Sequence, residues 1–118
     1  MDKKLLGRFG EEQAAKYLKS KKYKILGLNY SCRFGEIDII AENREYIVFA
    51  EVKLRKNASF AAAREFVTAA KQQRCLTAAH LWLAANPTEK QPRMDVIEIY
   101  APSGEAGEIR INHIENAF

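Results

Sequence analysis

Apolar and polar residues follow a strand-like pattern over two neighbouring runs in the first half of the chain. The runs Ile37–Ala41 and Tyr46–Leu54 are rich in β-branched and aromatic residues, and they flank a polar tetrad at 42–45. Two such runs around a short polar segment are typical of a β-hairpin. The pattern therefore predicts two antiparallel strands at the centre of the fold.

Charged residues are set into this hairpin at alternating positions: Glu36, Asp38, Glu51 and Lys53. Successive side chains of a strand point to opposite faces, so Asp38 should share a face with Ile40, and Glu51 should share one with Lys53. A turn centred between residues 43 and 44 brings these two faces to the same side of the sheet. The sequence thus predicts that the charges converge.

Burying such charges is costly unless a partner compensates them. A divalent cation is one such partner, because two carboxylates, waters and a substrate phosphate supply the hard oxygen ligands that Mg²⁺ prefers. Lys53 lies about 6.6 Å beyond Glu51 on the same strand face, and its flexible stem can bring an ammonium group to the same phosphate. The residues predict a hydrolytic centre.

The alternative interpretation is a cross-strand ion-pair set on a solvated face, since antiparallel sheets often have one wet side. The opposite face of the second strand argues against it, because that face is also apolar. A strand apolar on both faces indicates a central strand covered on both sides. The residues of that opposite face are Val48, Ala50, Val52 and Leu54.

The remaining pattern predicts elements around the hairpin. We expect a helix over 3–20, a strand over 23–30, a loop at 57–60 with a short helix at 61–66, a helix from Thr68 to about Ala85, and strands over 94–100 and 108–114. A strand, a helix and a strand in that order make a right-handed parallel crossover. The last strand should lie at a sheet edge.

Glu11 and Lys71 are charged residues near helix starts. Helical spacing puts Glu11 on the same stripe as core residues and Glu12 outside. Glu11 either contributes a third carboxylate to the site or complements the helix dipole. Lys71 and Arg74 oppose the dipole unless an anion lies there, so they indicate either a phosphate site or a solvated charged face.

Composition adds limits. The 118 residues suit one domain over 1–118, and the net charge of +4 permits polyanion binding without requiring it. No apolar run approaches the ~20 residues that span a bilayer, and the N-terminus lacks a signal peptide's apolar region, so we expect a cytoplasmic protein without a membrane partner. Cys32 and Cys75 have no zinc-site spacing and are expected to be free thiols.

The hairpin motif resembles that of a known group of nucleases. Residues 35–38 (Gly-Glu-Ile-Asp) followed by 49–55 (Phe-Ala-Glu-Val-Lys-Leu-Arg) are similar to the motif of the PD-(D/E)xK superfamily, most closely to YraN-like bacterial proteins, relatives of archaeal Holliday junction resolvases. The likeness extends to Gly7, Gly10-Glu11, Tyr17-Leu18, Lys71-Gln72 and 93–96. The superfamily's leading proline is absent, and Ile37 precedes Asp38.

The resemblance implies an α/β fold with a restriction-endonuclease-like αβββαβ core, a central mixed sheet flanked by helices. It implies Mg²⁺ or Mn²⁺ held by Asp38, Glu51 and the carbonyl of Val52, with Glu11, Asp38, Glu51 and Lys53 as the catalytic set. We expect DNA contacts at Arg8, Arg33, Arg55, Lys56, Lys71, Gln72 and Arg93.

These observations favour a metal-dependent endonuclease that cleaves DNA with structure-dependent or no specificity, in recombination or repair. Branched DNA is one candidate substrate, and the resemblance to resolvases allows a homodimer. The alternatives are a nucleic-acid-binding protein of nuclease fold with little catalytic activity, and a small interaction protein whose acidic centre is an ion-pair network.

Overall fold

The computed structural model describes residues 3–55, 68–101 and 107–118 of the chain. Their elements, in chain order, are α1 Lys3–Ser20, β1 Lys24–Cys32, β2 Gly35–Glu42, β3 Tyr46–Arg55, α2 Ala69–Ala85, β4 Gln91–Tyr100 and β5 Arg110–Ile114. The predicted loop and short helix at 57–66 lie outside the described residues. The other predicted elements are all present, although β4 begins three residues earlier than expected.

The five strands form one mixed sheet in the order β1-β2-β3-β4-β5. Neighbouring strands are antiparallel except β3 and β4, which are parallel over the whole length from Tyr46↔Gln91 to Arg55↔Tyr100. Because α2 lies between these two parallel strands in the chain, the parallel pairing that the predicted crossover requires is confirmed. β5 lies at a sheet edge, as expected for the last short strand.

The two helices cover opposite faces of the sheet. Ala14 and Leu18 of α1 pack on a cluster that includes Ile39, Val48 and Ile97. On the other face, three buried residues of α2 pack on the second cluster: Cys75, Ala78 and Ala79. The protein therefore has an α/β fold with a mixed sheet flanked by helices, as predicted, and this fold is compatible with a restriction-endonuclease-like core. Neither described helix is long and apolar enough to cross a membrane.

Side-chain hydrogen bonds fix the position of the turn between β2 and β3 and the start of α2. The Asn43 side chain accepts hydrogen bonds from the backbone N–H of Glu45 and Tyr46, at 3.0 and 2.8 Å. The hairpin turn is consequently centred between residues 44 and 45, one residue later than predicted, and Ile39 pairs with Ala50. Thr68 caps α2 by accepting from the N–H of Lys71 at 3.2 Å, as the sequence indicated.

A buried polar network fastens β4 to α1 and β5. Asp95 is fully buried and accepts hydrogen bonds from Arg93 at 2.8 and 2.9 Å. His113 lies between Asp95 and Tyr17, with its two ring nitrogens 2.6 Å from the Asp95 carboxylate and 3.0 Å from the Tyr17 hydroxyl. Burial raises the pKa of Asp95, but hydrogen bonds from His113, Arg93 and the Asn116 N–H outweigh it, so the pKa lies below its usual value. His113 thus joins β5 to β4 and α1 within this network.

Gly35 sets how closely α2 approaches β2. A Cβ atom added at Gly35 would lie 2.9 Å from the backbone oxygen of Arg74, a distance that side chains do not tolerate. The absence of a side chain at Gly35 therefore allows the first turns of α2 to lie against the start of β2.

We predict that Gly35→Ala destabilises the protein by about 1–3 kcal/mol, because the backbone of α2 must move away from the added methyl group. The measurement is the free energy of unfolding in urea. Gly7→Ala is the matched control: nothing lies within 4 Å of a Cβ atom added at Gly7, and an alanine inside α1 should stabilise the helix by about 0.5–1 kcal/mol. Equal stability of Gly35→Ala and the wild type would contradict the close approach.

Candidate metal and phosphate site

The site lies at the end of the sheet where β2 and β3 separate. Regular pairing of these strands ends at Ile39↔Ala50, one residue before Asp38 and Glu51. The Asp38 carboxylate instead accepts a hydrogen bond from the N–H of Val52 at 2.8 Å. A side chain thus takes the place of a backbone acceptor, which leaves an opening between the two strands.

The side chains of β2 do not alternate strictly between the two faces of the sheet, although the sequence predicted that they would. Ile37 packs in the same cluster as Ile40, on the α2 face, whereas Ile39 packs on the α1 face. Past Ile39, β2 is held by β1 alone, so the strict alternation does not continue. Asp38 is directed toward β3 between the faces, and it does not simply share a face with Ile40.

Glu51 is the most buried charged residue of the predicted catalytic set. It is 6% exposed. One carboxylate oxygen lies 2.5 Å from the ammonium group of Lys71 and 3.9 Å from that of Lys53. The other oxygen lies 4.0 Å from the thiol sulfur of Cys75. The predicted convergence of Glu51 and Lys53 is therefore observed, and α2 adds a second lysine to it.

The ionisation of Asp38 depends on its burial and on the neighbouring Glu51. Burial and the negative charge of Glu51 raise the pKa of Asp38 to about 6, with a smaller contribution from Glu11, while the Val52 N–H and Lys71 act in the opposite direction. A carboxyl group whose pKa is raised by a neighbouring acid favours the binding of a cation nearby. A positive charge placed between the two carboxylates would stabilise both.

The pKa values of the two lysines at the site, Lys53 and Lys71, are shifted in opposite directions. Burial and the neighbouring Lys71 lower the pKa of Lys53. Burial also acts to lower the pKa of Lys71, but the hydrogen bond and charge of Glu51 outweigh it, so that pKa is raised. Glu51 therefore forms its close ion pair with Lys71, and Lys53 lies farther away.

Glu11 approaches the site from α1. It is half-buried, whereas Glu12 is exposed, as the helical spacing predicted. Glu11 lines a groove of about 490 Å³ between α1 and β1, together with Arg8, Lys16 and Leu28. Its negative charge contributes to the raised pKa of Asp38, so Glu11 lies within electrostatic range of that carboxyl group.

The predicted DNA-contact residues fall into different environments. Arg8 and Arg33 are exposed. Arg33 lies next to the start of β2, with its guanidinium 5.0 Å from the Phe34 ring centre. Gln72 is half-buried in the first turn of α2, beside Lys71. Lys56 lies outside the described residues.

Two of the predicted contacts point inward. Arg93 is 6% exposed and is held by Asp95, by the Tyr23 hydroxyl at 2.6 Å and by the Tyr46 ring at 4.6 Å. A phosphate could reach it only if this network broke, so the DNA contact predicted at Arg93 is not supported by its position. The sequence does not show whether the side chain of a basic residue near the start of a strand points to solvent or to the interior.

Arg55 points toward Glu98, a buried residue that the sequence analysis did not single out. The Nε atom of Arg55 lies 3.6 Å from the Glu98 carboxylate, which also accepts hydrogen bonds from Tyr100 and Asn112. Among the described residues, Nε and one terminal nitrogen of Arg55 and one oxygen of Glu98 are buried without a hydrogen-bond partner. A lone acid within the apolar run Val96–Ile99 was the available signal for Glu98.

The donor set at the opening fits a hard divalent cation. Asp38 and Glu51 supply carboxylate oxygens. The N–H and C=O of one strand residue point to the same strand edge, so the Val52 carbonyl is directed to the side on which its N–H meets Asp38. Mg²⁺ commonly binds one or two carboxylates and retains waters. No cluster of three or more acidic, histidine or cysteine ligands exists within the described part of the chain, and Mg²⁺ does not require one.

Comparison with known proteins places the chain in a family. The profile of "Uncharacterised protein family UPF0102" matches residues 10–99. The chain belongs to the UPF0102 family. A UPF0102 protein of Caldanaerobacter subterraneus subsp. tengcongensis is 43% identical over all of this chain and 98% of its own length. One from Clostridioides difficile is 44% identical over the full length of both, and one from Syntrophomonas wolfei subsp. wolfei is 43% identical over 96% of each.

Membership of UPF0102 confirms the resemblance to YraN-like proteins that residues 35–38 and 49–55 indicated, and this family lies within the nuclease superfamily. The names of these relatives state no activity. The matched region extends from Gly10 in α1 to Ile99 in β4. It contains the opening between β2 and β3 and the start of α2.

The raised pKa of Asp38 predicts how the stability of this UPF0102 chain depends on pH. The folded protein holds a proton that the unfolded chain releases between pH 3.8 and about 6, so its stability should fall as pH rises through this window. Asp38→Asn keeps an oxygen for the Val52 N–H and lacks the charge. Its stability relative to the wild type should therefore rise from pH 4 to pH 6.

Urea unfolding in chelator-treated buffer measures this difference. The exposed Glu36, changed to Gln, is the matched control, and its variant should follow the wild-type curve. Parallel curves for Asp38→Asn and the wild type would show that the carboxyl group does not titrate in this range.

Proposed function

We propose that this protein is a Mg²⁺- or Mn²⁺-dependent endonuclease that hydrolyses phosphodiester bonds in DNA. The observation that carries the proposal is the opening between β2 and β3, where Asp38 and Glu51 meet Lys53 and Lys71. Two acids that bind a cation, beside two cations that bind a phosphate, are the groups that phosphodiester hydrolysis requires. Membership of a family in the nuclease superfamily supports the same assignment.

Each residue has a distinct part in this proposal. Asp38, Glu51 and the Val52 carbonyl would hold the ion, which when bound supplies Lewis-acid activation of the phosphate and of a water. Lys53 stabilises negative charge that develops on the phosphate. Glu11 lies near Asp38 and orients water at the opening. The Val52 N–H holds the Asp38 carboxylate in place.

Arg8 and Arg33 would contact the DNA backbone on either side of the opening. Arg8 lies on the first half of α1, near Glu11, and Arg33 lies just before β2. Contacts to phosphates position the DNA without reading its sequence. The proposal therefore includes structure-dependent or nonspecific cleavage of DNA. It also includes a cytoplasmic location and a role in recombination or repair.

A second candidate is a DNA-binding protein of the same fold with little catalysis. The observation that favours it is the ion pair between Lys71 and Glu51, since Glu51 already has a positive partner. This candidate predicts DNA binding that does not depend on a divalent ion. It also predicts no cleavage under any metal condition.

We expect Asp38→Ala to reduce cleavage by about 10²-fold or more, because the cation loses one of its carboxylate ligands. DNA affinity in the absence of metal should be unchanged. The assay compares branched, single-stranded and linear duplex DNA with and without Mg²⁺ or Mn²⁺. Glu36→Ala is the control, since this exposed acid lies two residues away on the same strand. Cleavage that survives Asp38→Ala would assign the activity elsewhere, and a wild type that binds DNA without cutting would favour the second candidate.

The proposed backbone contacts predict a change in salt dependence. Arg8→Ala or Arg33→Ala should weaken DNA binding and flatten the slope of log K against log salt by about one unit per lost phosphate contact. Arg110→Ala removes an exposed arginine of β5, the strand at the opposite sheet edge from β1. That control should leave the slope unchanged. Equal slopes for all variants would place Arg8 and Arg33 outside the interface.

A further inference from the structure

We infer that Lys71 is a counter-ion of the metal site. Its ammonium group neutralises Glu51 until a divalent cation binds, and it then moves to pair with a phosphate of the substrate. This inference rests on the proposed function, because it assigns Glu51 to the metal. It concerns a residue of α2, an element that contributes no proposed metal ligand.

The position of Lys71 requires an anion. Lys71 lies in the first turn of α2, and that turn contains no acidic residue. A positive side chain there opposes the partial positive charge of the helix N-terminus. The nearest compensation is the Glu51 carboxylate, 2.5 Å from the Lys71 ammonium group. The ion pair therefore offsets an unfavourable placement of the lysine and a costly burial of the acid together.

The same oxygen atom cannot serve Lys71 and a divalent cation equally well. Glu51 is almost fully buried, and the oxygen that contacts Lys71 also faces Lys53 at 3.9 Å. A divalent cation at Glu51 would repel an ammonium group at such short range. Binding of the metal must therefore displace the lysine, and the energy of the ion pair is subtracted from the affinity for the metal.

Lys71 has the more exposed side chain of the two lysines. Its side chain is 40% exposed, compared with 26% for Lys53. The helix behind it is held in place, because Gly35 lies against the backbone of Arg74 and the Cys75 thiol lies 3.8 Å from the Glu36 carbonyl. The displacement therefore involves the flexible stem of Lys71 and leaves α2 where it is.

A displaced Lys71 lies beside the opening with an uncompensated charge. The next anion to arrive there is a phosphate of the DNA. Binding of the metal should consequently add one lysine–phosphate contact, and binding of DNA should in turn favour binding of the metal, because such coupling is reciprocal.

The first experiment measures Mn²⁺ binding to the whole chain without DNA, by calorimetry. We expect Lys71→Met to bind Mn²⁺ about threefold more tightly than the wild type or better, since the competing ammonium group is gone. Lys71→Arg keeps the charge and should remain near the wild type. Arg74→Met is the matched control: it removes one positive charge from the exposed side of the same helix, and it should change the affinity little.

A merely structural role of Lys71 predicts the opposite sign, because damage to the site would weaken metal binding. Mn²⁺ affinity of Lys71→Met that equals or falls below that of the wild type would overturn the inference. An equal gain in Arg74→Met would also overturn it, since the effect would then be general electrostatics. In either case, Mn²⁺ binding and cleavage by the wild type would leave the proposed function standing. A wild type that binds no Mn²⁺ would overturn both.

The second experiment tests the transfer to phosphate. With Ca²⁺ in place of Mg²⁺, the salt slope of DNA binding should be steeper for the wild type than for Lys71→Met by about one unit. Without a divalent ion, the two slopes should agree, because Lys71 is then occupied by Glu51. A difference that is the same with and without Ca²⁺ would show that Lys71 contacts DNA independently of the metal, and would overturn the transfer.

Discussion

The hydrogen bond between the Asp38 carboxylate and the Val52 N–H is the contact on which the candidate site depends. In an uninterrupted hairpin, this N–H would bond to the neighbouring backbone, and the sheet would be closed at that point. The side chain satisfies the N–H in place of a carbonyl, so the strands part without leaving a buried donor unpaired. Asp38 thus opens the sheet and supplies an acid to the opening.

The parting brings together groups that neither strand holds alone. β2 supplies Asp38, and β3 supplies Glu51 and Lys53. The middle of α1 supplies Glu11, and the start of α2 supplies Lys71. All of them lie at the end of the sheet where β2 begins and β3 ends. The acids carry the electrostatic cost, which is visible in the raised pKa of Asp38, and the lysines offset part of it. A bound cation would offset more of this cost, and this is the basis of the proposed metal site.

The rest of the polar interior has a different role. Asp95 is fully satisfied by Arg93, His113 and the Asn116 N–H, and it has no free acceptor for a ligand. Its network joins α1, β4 and β5. Arg55 and Glu98 lie further toward the ends of β3 and β4 than Glu51 does, and atoms of both side chains are buried without a hydrogen-bond partner. The polar groups around Asp95 therefore have a structural role, whereas those around Asp38 and Glu51 carry the proposed function.

The sequence by itself determined the described helices and strands, the parallel pairing of β3 with β4 and the convergence of Glu51 and Lys53, because strand alternation and helix capping are local properties of neighbouring residues. It placed the turn one residue early, and it could not tell that Arg93 points inward while Arg8 points outward. Only the tertiary structure decided that Lys71 meets Glu51 and that β2 parts from β3 at Asp38. Those facts depend on how closely α2 packs on the sheet and on where pairing between the strands ends. A single sequence does not reveal packing distances between segments that are far apart in the chain, because such distances produce no periodic pattern of residues.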